Sequence, residues 1–213
     1  MSLKVNEIYY SIQGESSFSG LPCIFVRLTY CNLRCSYCDT EYAFYEGKNL
    51  EINQIIEKVN SFKCNLVEIT GGEPLLQNDC IKLIEELEKN NKRVLIETGG
   101  SLTIKNISKK THIILDLKCP SSKMEHKNLW DNLNYIKKTD EVKFVIGNKS
   151  DYNWSKKIIN KYNLENKCLI LMSPVFGEID NKKIIDWILK DNLNVRFQIQ
   201  LHKKIWDKDK KGV

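Results

Sequence analysis

The chain has 213 residues, 42% hydrophobic and 28% charged, and 33 basic against 27 acidic side chains leave a net charge of +6. Such a composition excludes an intrinsically disordered chain, which combines low hydrophobicity with high net charge, and the length suffices for one domain that buries about 70% of its unfolded surface. No apolar stretch approaches membrane-spanning length and Met1-Ser2-Leu3-Lys4 opens no secretory signal, so a cytoplasmic protein without membrane contact is expected.

Taken in chain order, β-branched runs predict strands over residues 5–12, 23–30, 66–70, 93–97, 113–118, 142–146, 168–172 and 195–201. Between them Ile52, Ile55, Ile56 and Val59 recur at helical spacing, as do Ile81, Ile84 and Leu87, and then Ile184, Ile185, Ile188 and Leu189. Alternation of this kind implies βα units: a mostly parallel sheet with right-handed crossovers and helices outside. A complete eight-fold barrel takes about 250 residues, so the expected α/β fold is an incomplete, open TIM-like barrel spanning residues 1–213 as one domain.

Eight cysteines in a reducing compartment argue for metal or redox chemistry over a disulfide framework. The lysines spread over the second half of the chain and read as a solvated surface; only the run from Lys203 to Lys211 suggests an anion patch. More telling is the placement of the unusual residues. Cys31-Asn32-Leu33-Arg34-Cys35, Gly71-Gly72-Glu73-Pro74, Thr98-Gly99-Gly100, Cys119-Pro120-Ser121-Ser122 and Ser173-Pro174 each follow a predicted strand. That is the face on which parallel β/α folds build active sites.

The sharpest signal is Cys31-x3-Cys35-x2-Cys38, three thiols within eight residues. The set suits an iron–sulfur cluster or zinc, but a structural zinc takes four ligands and no fourth Cys or His lies nearby. A four-iron cluster held by three cysteines keeps one iron open for a small molecule. The remaining cysteines, Cys23, Cys64, Cys80, Cys119 and Cys168, read as small core hydrophobes.

The segment Cys31-Asn32-Leu33-Arg34-Cys35-Ser36-Tyr37-Cys38-Asp39-Thr40 resembles the cluster loop of radical S-adenosylmethionine enzymes, and Gly71-Gly72-Glu73-Pro74 resembles their methionine-binding motif. Over nearly the whole chain the nearer resemblance is to the 7-carboxy-7-deazaguanine synthase family. It rests on Ser11-Ile12-Gln13-Gly14-Glu15, Gly20-Leu21-Pro22, Arg27, Glu97-Thr98-Gly99-Gly100, Lys118-Cys119-Pro120-Ser121-Ser122, Val142-Lys143-Phe144-Val145-Ile146 and Gln200-Leu201-His202-Lys203. The resemblance implies radical ring contraction of 6-carboxy-5,6,7,8-tetrahydropterin with loss of ammonia, on the route to queuosine. It further implies a homodimer, an electron donor such as flavodoxin or ferredoxin, and no direct contact with nucleic acid.

The implied site follows residue by residue. A [4Fe-4S] cluster falls to Cys31, Cys35 and Cys38, and S-adenosylmethionine to Tyr37, Cys38, Asp39, Gly72, Glu73, Pro120, Ser121 and Ser173. Substrate falls to Ile12, Gln13, Gly14, Glu15, Arg27, Thr70 and His202, with Glu97 catalytic, and Mg²⁺ falls to the Thr40 hydroxyl. Physical chemistry supports several of these independently. Glycine lets backbone amides approach a ligand, the Glu73 carboxylate or neighbouring carbonyls can accept from an ammonium, and the Arg27 fork matches a carboxylate. Mg²⁺ prefers oxygen donors, although an Asp-Thr pair also serves as an ordinary turn. Two departures from the family stand out: the connection over residues 42–53 is short, and no terminal proline is present to roof the pocket. A glycyl-radical-enzyme activase and a non-catalytic zinc or RNA-binding module are the competing readings.

Overall fold

The computed structural model describes residues 1–213. Strand β1 (Ser2–Ile12) pairs antiparallel with β2 (Pro22–Leu28) on one side and with β3 (Lys48–Glu51) on the other. Then follow α1 (Ile52–Asn60), β4 (Leu66–Gly71), α2 (Cys80–Lys89), β5 (Arg93–Thr98), β6 (His112–Leu117), β7 (Glu141–Ile146), α3 (Lys149–Tyr162), β8 (Leu169–Pro174), α4 (Asn181–Asp191), β9 (Arg196–Phe197) and the single turn α5 (His202–Ile205). One nine-stranded sheet results, ordered β3-β1-β2-β4-β5-β6-β7-β8-β9 and parallel from β2 onward. Its outer strands do not pair, which makes it the open β/α barrel expected from the spacing of the βα units.

Period-two alternation divides the sheet into two faces. Val26, Ile69, Ile96, Leu115, Phe144 and Met172 point outward into a core of 34 buried residues shared with the helices. There Leu83, Ile84 and Leu87 of α2 are wholly buried, and each contributes about 1.5–3 kcal/mol relative to exposure. Inside the barrel a small cluster of Phe18, Cys23, Phe25, Leu66 and Leu95 fills the end where the parallel strands begin. Phe18 meets His112 edge-on at 4.8 Å, and the Ser17 amide donates to Glu141 Oε1 at 3.0 Å, so the 13–21 loop plugs that end. Above the plug the inner face turns polar: the register sets Phe25 beside Glu68, Arg27 beside Thr70 and Asp116 beside Lys143.

Besides β3, which forms within the connection expected over residues 42–53, three elements depart from expectation. The last strand shrinks from residues 195–201 to Arg196–Phe197, because the chain then leaves the sheet to bond elsewhere. Helix α3 was not signalled by an apolar stripe, since its buried face mixes Asp151 and Ser155 with Tyr152, Ile158 and Ile159; Asn148 caps it by accepting from the Asp151 amide. On α4 only Ile184 and Ile188 turn inward, leaving Ile185 and Leu189 exposed. No helix is long and apolar enough to cross a membrane.

Candidate active site

A cavity of ≈ 640 Å³ opens at the C-terminal ends of the parallel strands. Of the residues singled out from sequence, Ile12, Gln13, Gly14, Glu15, Arg27, Cys31, Cys35, Tyr37, Cys38, Asp39, Thr40, Thr70, Gly72, Glu97, Ser173 and His202 all line it; Glu73, Pro120 and Ser121 do not.

Cys31, Cys35 and Cys38 are free, partly buried and on the cavity wall, whereas none of the other five cysteines lines it. Their loop is tied down on both sides. The Ser36 hydroxyl donates to the Ser121 carbonyl at 2.7 Å and its amide to the Ser122 carbonyl at 3.1 Å, while Asn32 Nδ2 donates to Ser101 Oγ at 3.1 Å. Ser121 thus acts through its backbone, with its own amide held by Asp151 Oδ1 at 2.9 Å. Burial pushes the Cys35 thiol up to about 11, and the Lys118 ammonium opposes the rise. Nowhere in the chain do three His, Cys, Asp or Glu side chains gather as a single ion requires. Three free thiols on one cavity wall are the soft donor set that a multi-iron cluster would take. The wall also offers a buried donor without partner, the Tyr37 hydroxyl, and a buried acceptor without partner, Asp116 Oδ1. Unpaired buried groups of both kinds fit a polar ligand such as S-adenosylmethionine.

In the Gly71-Gly72-Glu73-Pro74 turn the two glycines line the cavity, and it is the Glu73 carboxylate that departs from the expectation. A Cβ on Gly71, whose φ is +155°, would lie 2.2 Å from the Leu28 carbonyl oxygen, and one on Gly72 would lie 2.4 Å from the Tyr30 carbonyl oxygen. These glycines therefore let the turn press against the strand that feeds the cysteine loop. Glu73 is fully buried and its carboxylate is already occupied: Thr98 Oγ1 donates at 2.8 Å, the Gly99 amide at 2.8 Å and the Leu75 amide at 3.1 Å. It braces the β4 turn to the β5 turn instead of reaching the cavity with its carboxylate.

The cavity floor is a charge network. Lys143 Nζ contacts Glu97 Oε1, lies 2.9 Å from Glu15 Oε2 and 3.6 Å from Asp116 Oδ2; Lys118 Nζ lies 3.0 Å from the same Asp116 oxygen. Gln13 Nε2 donates to Glu68, whose carboxyl is pushed well up by burial and by the facing Glu97 and Glu15. Arg27 Nε donates to Glu7 at 2.8 Å and Nη2 to the Tyr9 hydroxyl at 3.0 Å. Two of its five N–H groups are used, which leaves three for a ligand. Glu68, Asp116, Lys118 and Lys143 were not assigned from sequence. Their signal was there: a single charged residue on the inward phase of an apolar strand, as in Val142-Lys143-Phe144-Val145 and Ile114-Leu115-Asp116-Leu117.

The roof of the cavity is built from residues 200–213. Lys208, Asp209 and Val213 line the cavity, and Lys203 Nζ reaches Asp39 Oδ2 at 2.5 Å. Burial alone would raise the Asp39 carboxyl, but Lys203 holds it down at about 2. The Leu201 amide donates to the Gly14 carbonyl at 2.9 Å and Gln200 Nε2 to Glu15 Oε1 at 3.0 Å. His202, expected at a strand end, opens α5 against Gly14; burial lowers its pKa and keeps it neutral near pH 7.

The radical SAM superfamily model matches residues 26–188. A 7-carboxy-7-deazaguanine synthase of Chlorobaculum tepidum is 42% identical over 99% of this chain and 97% of its own, and one of Koribacter versatilis is 40% identical over 99% and 100%. The crystal structure of QueE from Escherichia coli superposes with a TM-score of 0.80, covering 95% of each chain at 22% identity, which establishes the shared fold. With its three-thiol loop, its open barrel and these full-length relatives, the chain belongs to the radical SAM superfamily and, within it, to the 7-carboxy-7-deazaguanine synthases.

Proposed function

We propose that this protein forms 7-carboxy-7-deazaguanine from 6-carboxy-5,6,7,8-tetrahydropterin by ring contraction with loss of ammonia, as one radical SAM domain over residues 1–213. The observation that carries the reading is the cavity itself, in which a three-thiol wall faces a floor of alternating anions and cations. When bound, the cluster and S-adenosylmethionine supply the organic radical chemistry. The chain's own residues do the rest. Arg27 offers its three free N–H groups to the substrate carboxylate, Gln13 and Thr70 meet the pterin edge, and ionised Glu97 accepts from a ring N–H at the reacting side. His202 and the C-terminal segment exclude water.

The Thr40 hydroxyl lines the cavity and makes only a 3.8 Å contact with Cys38 Sγ, so it is free to join Mg²⁺ alongside water and substrate oxygens. A homodimer, a flavodoxin- or ferredoxin-type donor and a cytoplasmic setting complete the reading. An activase needs a groove for a protein loop, and the C-terminal segment across the cavity disfavours it.

Anaerobic incubation of reconstituted protein with S-adenosylmethionine, reductant and the pterin acid, followed by mass analysis, tests the assignment. Product and 5′-deoxyadenosine are expected together. A colourless zinc protein, or cofactor cleavage without product, overturns it. Thr40→Ala is expected to raise the Mg²⁺ requirement and Thr40→Ser to retain it; indifference to chelation removes the metal.

A further inference from the structure

The relatives' name and the sequence motifs give no role to Lys143, yet it is the best-connected charge in the cavity. It sits mid-strand on β7, 5% exposed, between the apolar Val142 and Phe144. Its ammonium spans elements far apart in sequence: Glu15 from the plug loop, Glu97 from β5 and Asp116 from β6. Burial opposes its charge, but these three carboxylates overcome that opposition and hold it protonated.

The neighbouring partners are already committed. Lys118 is on Asp116, Arg27 is on Glu7, Gln13 is on Glu68, and neutral His202 faces Glu15. Lys143 is the only cation within salt-bridge distance of Glu15 and Glu97, both of which line the cavity. Without it, Glu15, Glu68, Glu97 and Asp116 would crowd one low-dielectric floor, with Lys118 against Asp116 and Arg27 against Glu68 but neither within salt-bridge distance of Glu15 or Glu97. Carboxylates so placed take up protons, because like charges disfavour ionisation.

We propose that Lys143 is a positioning residue of this active site: by bridging Glu15 and Glu97 it fixes both carboxylates in place and keeps Glu97 ionised to accept from the substrate. The inference rests on the reaction reading above and adds to it the group that sets its lower pH limit. Burial raises the Glu97 carboxyl above its ordinary value, with Glu15 and Asp116 adding to the rise, and Lys143 is the group that pulls it back down. Loss of the ammonium therefore moves its protonation to higher pH, and turnover that needs the carboxylate fails at a higher pH than in the wild type.

The test compares Lys143→Met, Lys143→Gln and Lys143→Arg with the wild type, each loaded with cluster. For the Met variant we expect product formation at pH 7 to fall about 100-fold, with the acidic limb of the pH profile moved up by at least one pH unit, a shift equivalent to about 1.4 kcal/mol. Cofactor cleavage without substrate should persist. The infrared band of the protonated carboxylic acid, assigned by its loss in Glu97→Gln, should appear at correspondingly higher pH. Arginine should restore the limb but only part of the rate. If Lys143→Met does not fold, Lys143→Gln, which keeps a donor and drops the charge, carries the same expectation. An unmoved limb and band overturn the proposal, as does a result in which only the Arg variant folds, since Lys143 is then a requirement of the fold alone. A wild type that yields no product overturns the reaction reading and this inference with it; wild-type product with an unmoved limb overturns the inference only.

Discussion

Glu73 offers the clearest separation between a brace and a ligand. Its carboxylate accepts from Thr98 Oγ1 with both oxygens, at 2.8 and 2.9 Å, and from two backbone amides. In Glu73→Gln one oxygen becomes an NH₂ that must face a donor, either Gly99 N–H or Leu75 N–H. At least one hydrogen bond to a charged acceptor is lost, worth about 1.5–3 kcal/mol, and a buried donor is left unpaired. Together roughly 2–4 kcal/mol of stability should disappear, which at about 2–4 °C per kcal/mol for a chain of this length lowers Tm by about 5–15 °C. Differential scanning calorimetry of the protein without S-adenosylmethionine reads the effect directly. A brace predicts the drop in the absence of cofactor, whereas a carboxylate that binds the methionine ammonium predicts an unchanged Tm and a weakened cofactor Kd. The second pattern would refute the reasoning.

Further outcomes follow from the same geometry. Cys31→Ala, Cys35→Ala and Cys38→Ala should each abolish cofactor cleavage while Cys80→Ala, at a buried position opening α2 and away from the cavity, leaves it; equal loss in Cys80→Ala contradicts the ligand set. Arg27→Ala should cost turnover about 2–5 kcal/mol while uncoupled cofactor cleavage survives, and Arg27→Lys should also be poor because a point charge cannot reproduce the fork; steady-state kinetics decide, and a fully active Lys variant removes Arg27 from the site. In Gly14→Ala the new Cβ would lie 2.2 Å from His202 Nδ1, so the C-terminal segment should loosen, the substrate KM should rise, and His202→Ala should restore part of it. Because burial holds the His202 pKa below its unfolded value near 6.5, its contribution to stability is present above that pH and is lost as pH falls through the unfolded value towards the folded one. Limited proteolysis of the C-terminal segment should therefore quicken below about pH 6.5, and His202→Asn should flatten the dependence.

What could be read from sequence followed the strength of the local signal. The strands over residues 23–30, 66–70, 93–97, 113–118 and 142–146 match β2, β4, β5, β6 and β7 to within two residues, because each is a dense β-branched run buried on both faces. The cysteine loop was legible because its three ligands are local in the chain. Lys143 and Asp116 were not, since a charge within a strand acquires meaning only when other strands bring its counter-ions alongside. Glu73 was legible as a conspicuous residue but not in its direction: whether its carboxylate meets a ligand or Thr98 depends on how two turns pack. His202 was legible through the resemblance, but the rest of the roof was not, as nothing local in Lys208, Asp209 or Val213 marks them as part of a cavity whose cysteine loop lies some 160 residues away.

The seam between Gly14 and Leu201 has a consequence for how the molecule comes into being. Residues 13–15 and 200–202 are separated by nearly the whole chain, yet they share a wall through the Leu201 amide, Gln200 and His202. Contacts of such long range form late, because most of the intervening chain must be ordered before they are rewarded. The cysteine loop and its strands belong to the first third of the chain. While that seam is unformed the three thiols are presented in a vessel still open on one side, large enough to admit a bulky inorganic cluster, and residues 200–202 close it afterwards.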